Sequence, residues 1–101
     1  MKLMTKEIEK KLPKLYSQEN VKDPICQVKY FTPDSSFTWY ITEGEKKGDD
    51  WLFFGKTISS FEPEGELGYV SLNELKSVRG PLGLPVERDM WFTPRPLSEC
   101  K

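Results

Sequence analysis

The chain has 101 residues, with six Phe, four Tyr, three Trp, fifteen basic and sixteen acidic side chains, two Cys and no His. The length sets one domain, residues 1–101, able to bury roughly two-thirds of its unfolded surface. Without His there is no Ser-His-Asp or Cys-His pair, no HExxH helix and no His-bearing zinc site; two Cys cannot build a Cys-only site; and a net charge of −1 lacks the basic excess of a non-specific nucleic-acid binder.

Thr5 is placed to cap a helix over 5–12, with Glu7 near the positive end of its dipole. Met4, Ile8, Leu12 and Leu15 or Tyr16 follow the stripe of an amphipathic helix, which Pro13 ends near Leu12, leaving a helical turn over 13–17. The N-terminal 22 residues carry six Lys and no apolar run, so no export signal is read there. No stretch reaches the roughly 20 apolar residues of a membrane span. With two widely separated Cys a cytoplasmic home is expected, Cys26 as a small buried hydrophobe and Cys100 exposed near the terminus.

From Ile25 the period changes to two. Residues 25–32 and 37–43 alternate, separated by the turn Pro33-Asp34-Ser35-Ser36. Residues 46–50 form a polar hairpin loop, and Trp51-Leu52-Phe53-Phe54 fits a strand covered on both faces, with Gly55 marking a bulge or a close backbone approach. After a turn at Pro63-Glu64-Gly65, residues 67–70 read as a strand. Ser71-Leu72-Asn73-Glu74 is a capping box that predicts a short helix near 72–78. Two Gly and two Pro within 79–85 make a loop, and 87–93 reads as a last strand ended by Pro94-Arg95-Pro96. The fold expected is α+β: an antiparallel sheet of about five strands, an N-terminal helix and the short helix near 72–78. With no Ala in the chain, large rings on a sheet must fill the interior.

Several segments, in this order and spacing, carry a resemblance: Leu12-Pro13-Lys14-Leu15-Tyr16-Ser17, Thr38-Trp39-Tyr40-Ile41-Thr42-Glu43-Gly44, Trp51-Leu52-Phe53-Phe54-Gly55, Glu66 to Leu75, and above all Arg79-Gly80-Pro81-Leu82-Gly83-Leu84-Pro85-Val86-Glu87-Arg88-Asp89. Over nearly its whole length the chain resembles the bacterial and phage family known as domain of unknown function 2958. Its members are small stand-alone proteins, often encoded on phages, plasmids and integrative elements. The resemblance implies an accessory role in mobile-element biology, such as blocking a host defence system, and implies no reaction, cofactor or catalytic residue.

The loop after the second helix is the first candidate site. Arg79 sits beside the N–H groups of Gly80, Leu82, Gly83 and Leu84, an arrangement that can hold a phosphate or carboxylate. The structural reading of the same residues has Gly83 at positive φ, Leu82 and Leu84 plugging the core, and Arg79 on helix-terminal carbonyls. In Glu87-Arg88-Asp89 the two carboxylates share a strand face, a weak pattern for catalysis and a common one for a solvated edge. Tyr40, Tyr69 and Trp91 are the rings expected at a wet edge, where beside Arg79 or Arg88 they can anchor a protein or stack a base. Asp49-Asp50 and Glu62/Glu64/Glu66 lack calcium-loop spacing and read as solvated turns.

The function expected is therefore non-enzymatic binding of a protein partner through Arg79, Gly80, Gly83, Arg88, Tyr40, Tyr69 and Trp91, with no metal and no cofactor. The alternatives are sequestration of a nucleotide or other small anion by loop 79–85, and a His-free enzyme using Glu87, Asp89 and Lys56. With no His, binding is expected to vary little between about pH 6 and 8.

Overall fold

The computed structural model describes all residues, Met1–Lys101. Its elements in chain order are helix α1 (Lys6–Lys11), strands β1 (Ile25–Cys26), β2 (Val28–Phe31), β3 (Thr38–Lys47), β4 (Asp50–Ile58) and β5 (Glu66–Ser71), helix α2 (Leu72–Ser77), and strands β6 (Glu87–Arg88) and β7 (Arg95–Pro96), followed by a 3-10 turn at Leu97–Glu99. Five strands make one antiparallel sheet in the order β5-β4-β3-β2-β6, and β1 pairs separately with β7. This is the α+β architecture expected.

Local chemistry explains both helices. The Ile8 N–H donates to Thr5 Oγ1 at 3.2 Å, and α1 stops at Leu12 before Pro13. At α2 the capping box closes in both directions: Glu74 N–H donates to Ser71 Oγ at 3.0 Å, and Ser71 N–H to Glu74 Oε1 at 3.1 Å. Asp50 Oδ1 accepts the Asn73 N–H at 3.0 Å, which ties the start of α2 to β4.

One face of the sheet carries the main core. Val28, Tyr30, Trp39, Ile41 and Phe53 pack there against Leu3, Ile8 and Leu12 from the N-terminal segment, Leu72 and Leu75 from α2, and Val86. Tyr30, fully buried, donates its hydroxyl to the Leu3 carbonyl at 2.6 Å. The other face is covered only across its middle, where Tyr40, Cys26 and Cys100 cluster beneath Phe92, Leu97 and Ile58. The C-terminal segment lies there because β7 pairs with β1 and because Asp23 accepts both the Ser98 N–H (2.9 Å) and the Ser98 hydroxyl (2.6 Å).

A bulge in β3 decides what this second face shows. Pairing with β4 runs regularly to Ile41, opposite Gly55, and resumes at Glu43, opposite Phe54, leaving Thr42 as the extra residue. Before the bulge Trp39 and Ile41 face the main core; after it Gly44 does, against Leu12 and Phe53. Alternation is thereby reversed, and Glu43 joins the face of Tyr40. Gly55 sits opposite the irregularity, where a Cβ would lie 1.9 Å from the Tyr40 carbonyl oxygen. The close approach expected at Gly55 is real, although the bulge is in its neighbour.

Three sequence expectations are corrected. Cys100 is buried, not exposed, because the 3-10 turn folds its thiol under the C-terminal segment. Tyr40 is only 5 % exposed for the same reason. The last strand spans Glu87–Arg88 rather than 87–93, because a turn follows in which Phe92 N–H donates to the Asp89 carbonyl at 3.3 Å.

Candidate functional site

The seven candidate residues fall in four places. Tyr40 is interior: its ring packs on Phe92 at 6.0 Å and its hydroxyl donates to the Lys101 carbonyl at 3.3 Å. Arg79 turns back on α2, with Nη1 donating to the carbonyls of Lys76 and Val78, both at 2.8 Å, as the structural reading has it. Arg88 and Trp91 lie together at the β6 edge, and Tyr69 stands on the opposite edge strand, β5.

Loop 79–85 does hold a carboxylate, and it is the protein's own. Asp34 Oδ2, from the turn between β2 and β3, accepts the Leu82 N–H at 2.8 Å and the Leu84 N–H at 3.4 Å. The other two amides are also occupied, Gly80 N–H by the Leu84 carbonyl (3.1 Å) and Gly83 N–H by the Gly80 carbonyl (2.9 Å). Gly80 permits the seat, since a Cβ there would lie 1.7 Å from Asp34 Oδ1, and Gly83 takes φ +80°. All four donors read from the sequence therefore have partners within the chain. Leu82 and Leu84 are exposed, so neither plugs the core.

At the β6 edge Trp91 is 92 % exposed, between the exposed Met90 and the partly covered Phe92. Its backbone is nevertheless fixed. Trp91 N–H donates to Asp89 Oδ1 at 2.9 Å, Asp89 N–H donates to the Lys29 carbonyl at 2.9 Å, and Asp89 Oδ2 lies 3.5 Å from Lys29 Nζ. Beside it is a cavity of about 320 Å³ lined by Met1, Phe31, Arg88 and Met90 among others. Arg88 donates its own N–H to Met1 Sδ (3.1 Å) and its Nε–H to the Lys2 carbonyl (3.1 Å), pinning the N-terminal residues to this edge. Of the enzyme candidates, Asp89 is thus engaged in holding Trp91, and Lys56 donates to the Leu97 carbonyl at 3.3 Å.

A second cleft, of about 330 Å³, lies across the C-terminal segment and was missed by sequence reasoning. Glu43 is at its base, 4 % exposed, with Oε1 accepting the Tyr16 N–H at 3.0 Å and Oε2 the Gln18 N–H at 2.7 Å. Tyr16 is the single non-glycine residue at positive φ, +70°, a conformation that costs about 1–2 kcal/mol. It holds an exposed ring against Tyr69, 6.4 Å away and tilted by 58°, and Tyr69 meets Phe54 edge-on at 5.0 Å. The neighbouring Tyr16 hydroxyl, then burial, then the charges of Glu43 and Glu19, push the Tyr69 phenol above its usual range. One signal was available: Glu43 is a charged residue on an alternating strand, in register with the core residues Trp39 and Ile41 until the bulge.

The model of the family described as "Protein of unknown function (DUF2958)" matches residues 3–100. The chain belongs to that family. No curated protein and no solved structure matches it. In this DUF2958 protein no three His, Cys, Asp or Glu side chains gather as a metal-holding group, and no helix is long and apolar enough to cross a membrane.

Proposed function

We propose that this DUF2958 protein works by binding another protein, without catalysis, and that Trp91 is the anchor. The observation that carries this reading is a Trp almost wholly in solvent on a backbone fixed by Asp89 and Lys29. An indole left in water forgoes the stabilisation that burial gives, and one presented on a rigid turn loses little freedom when a partner covers it. Trp, Met and Arg are also the side chains enriched at protein interfaces, and Met1, Met90 and Arg88 surround this one. The setting we propose comes from the family resemblance: an accessory protein of a phage or mobile element that occupies a host protein, such as a component of a defence system.

The test is co-purification from cells of a natural host. Wild type is expected to retain a defined partner that Trp91→Ala loses while melting at the wild-type temperature, with Arg79→Ala retaining it. Capture unaffected by Trp91→Ala, or no partner captured by wild type, would overturn the reading.

A further inference from the structure

We infer that the cleft at Glu43 is a binding site for an organic cation, specifically an alkylammonium group. The inference is independent of the Trp91 surface, which lies on the far side of the C-terminal segment.

Glu43 supplies the charge. A carboxylate offers about four acceptor positions, and the Tyr16 and Gln18 N–H groups fill one on each oxygen. No cation of the chain pairs with it, since the protein's two salt bridges are Lys29–Asp89 and Lys47–Glu45. A buried carboxylate is costly unless its charge is compensated, and two backbone dipoles alone provide partial compensation. Tying the 16–18 turn to β3 accounts for those two bonds; Glu43, 4 % exposed, is also one of the residues that line the cleft.

The walls supply the second half of an ammonium site. Tyr16, Tyr69 and Phe54 all line the cleft, and at 58° and 60° between neighbouring planes no two of them stack flat on one another. Ring faces attract cations, and a box of rings beside a carboxylate suits quaternary and alkylated ammonium groups best. Elsewhere on this face of the sheet the rings already have cations: Lys29 Nζ lies 5.7 Å from the centre of Tyr40, and Arg95 lies 4.8 Å from the centre of Phe92. The cleft rings have none. Glu19 adds a second negative charge to the lining, and Lys22 is its one cation, in no ion pair. Tyr16 is held in its left-handed conformation by the same carboxylate, so one residue both attracts the ligand and positions a wall against it.

Backbone amide spectra recorded by NMR, with choline, its uncharged carbon analogue 3,3-dimethylbutanol and an N-acetyl-lysine amide as probes, test this. Choline or the lysine derivative is expected to shift Tyr16, Gln18 and Tyr69 saturably and to leave Trp91 unmoved, with the uncharged analogue at least tenfold weaker. Tighter choline binding would indicate a free quaternary ammonium; tighter binding of the lysine derivative would indicate a side chain carried by a partner. Glu43→Gln is expected to weaken binding at least tenfold. Because that change can loosen the 16–18 turn, Tyr69→Leu on the edge strand provides a second measure with the same expected loss, and Lys22→Gln is expected to tighten binding. Equal binding of the uncharged analogue, no saturable shift with either cation, or full affinity in both Glu43→Gln and Tyr69→Leu would overturn the proposal. A protein that fails the Trp91 test and passes this one, or the reverse, separates the two sites.

Discussion

The seat of Asp34 in loop 79–85 makes a quantitative prediction about Gly80. In Asp34→Ala the chain loses one strong charge-assisted bond, to Leu82 N–H at 2.8 Å, and one long one, to Leu84 N–H at 3.4 Å. Hydrogen bonds to charged groups contribute about 1.5–3 kcal/mol. The low end applies, because Leu82 is 79 % exposed and water can reach the freed amides. Asp34 Oδ1 is buried without a partner, so its removal returns part of that loss. The expected cost is about 1–2 kcal/mol. Gly80→Ala places a methyl 1.7 Å from Oδ1 and 2.3 Å from Cγ, so the carboxylate must leave its seat and the same two bonds are lost. Gly80 is not at positive φ, so Ala itself is conformationally acceptable there and restricts the unfolded chain slightly.

The two changes must therefore overlap. Each alone is expected to cost about 1–2 kcal/mol, and the double variant about the same as Asp34→Ala, a coupling of about 1–2 kcal/mol. Urea unfolding followed by Trp fluorescence measures the cycle, and melting temperatures should fall by about 4–8 °C per kcal/mol. Additive losses, agreeing within about 0.5 kcal/mol, would show that Asp34 and Gly80 do not share this seat.

Other variants probe other links. Ser71→Ala opens the capping box and is expected to lower stability by about 1 kcal/mol, seen as early amide exchange in α2. Gly55→Ala drives a Cβ into the Tyr40 backbone carbonyl, which cannot swing aside, and is expected to cost about 3 kcal/mol or more in urea unfolding, the largest loss of the set. Burial pushes the phenols of Tyr30 and Tyr40 up; a folded-state value above the unfolded one means that their contribution is complete below about pH 10 and declines as the pH rises further, so unfolding in urea should become easier above that point. Cys26 and Cys100 are both buried, and burial pushes the Cys26 thiol up, so neither is expected to alkylate in the native state, while Ser98→Ala, which loosens the C-terminal segment from Asp23, should expose both before global unfolding; protection unchanged in that variant would place the barrier elsewhere.

What was legible in the sequence was local. A capping box, a Pro after an apolar stripe and alternation between turn residues each act over a few positions, and they gave α2 at Ser71, the end of α1 before Pro13, and the strands β2 to β5, although β3 and β4 extend to Lys47 and from Asp50 into the residues read as a hairpin loop, and 25–32 splits into β1 and β2 at Gln27. What was not legible depended on which segments meet. Tyr40 looks half-wet from its strand alone, and its burial comes from Phe92 and Leu97, more than fifty residues away. Cys100 is buried by the same fold-back. The amides of loop 79–85 were rightly read as able to hold an anion, but nothing in the loop announces that Asp34, from a turn far upstream, already occupies them. Gly80 gave the nearest hint, as a glycine without positive φ in a loop where only Gly83 needs one.

The bulge at Thr42 shows how far one extra residue can reach. Had β3 kept its alternation through Glu43, the carboxylate would face the main core beside Phe53 and Leu12, with no donor there to hold it, and Gly44 would leave a gap on the other face. The added residue exchanges the two: the core receives a glycine where Leu12 and Phe53 leave no room for more, and the second face receives an acid at the base of a ring-walled cleft. The cost is a crowded backbone opposite, which only Gly55 accommodates. The C-terminal segment then divides that face, with Leu97 lining the Glu43 cleft and the turn at Asp89 presenting Trp91 on the other side. The Glu43 cleft therefore rests on a reversed register in β3 and a tail fastened at Asp23, whereas Trp91 rests on the contacts of Asp89 with Lys29 of β2.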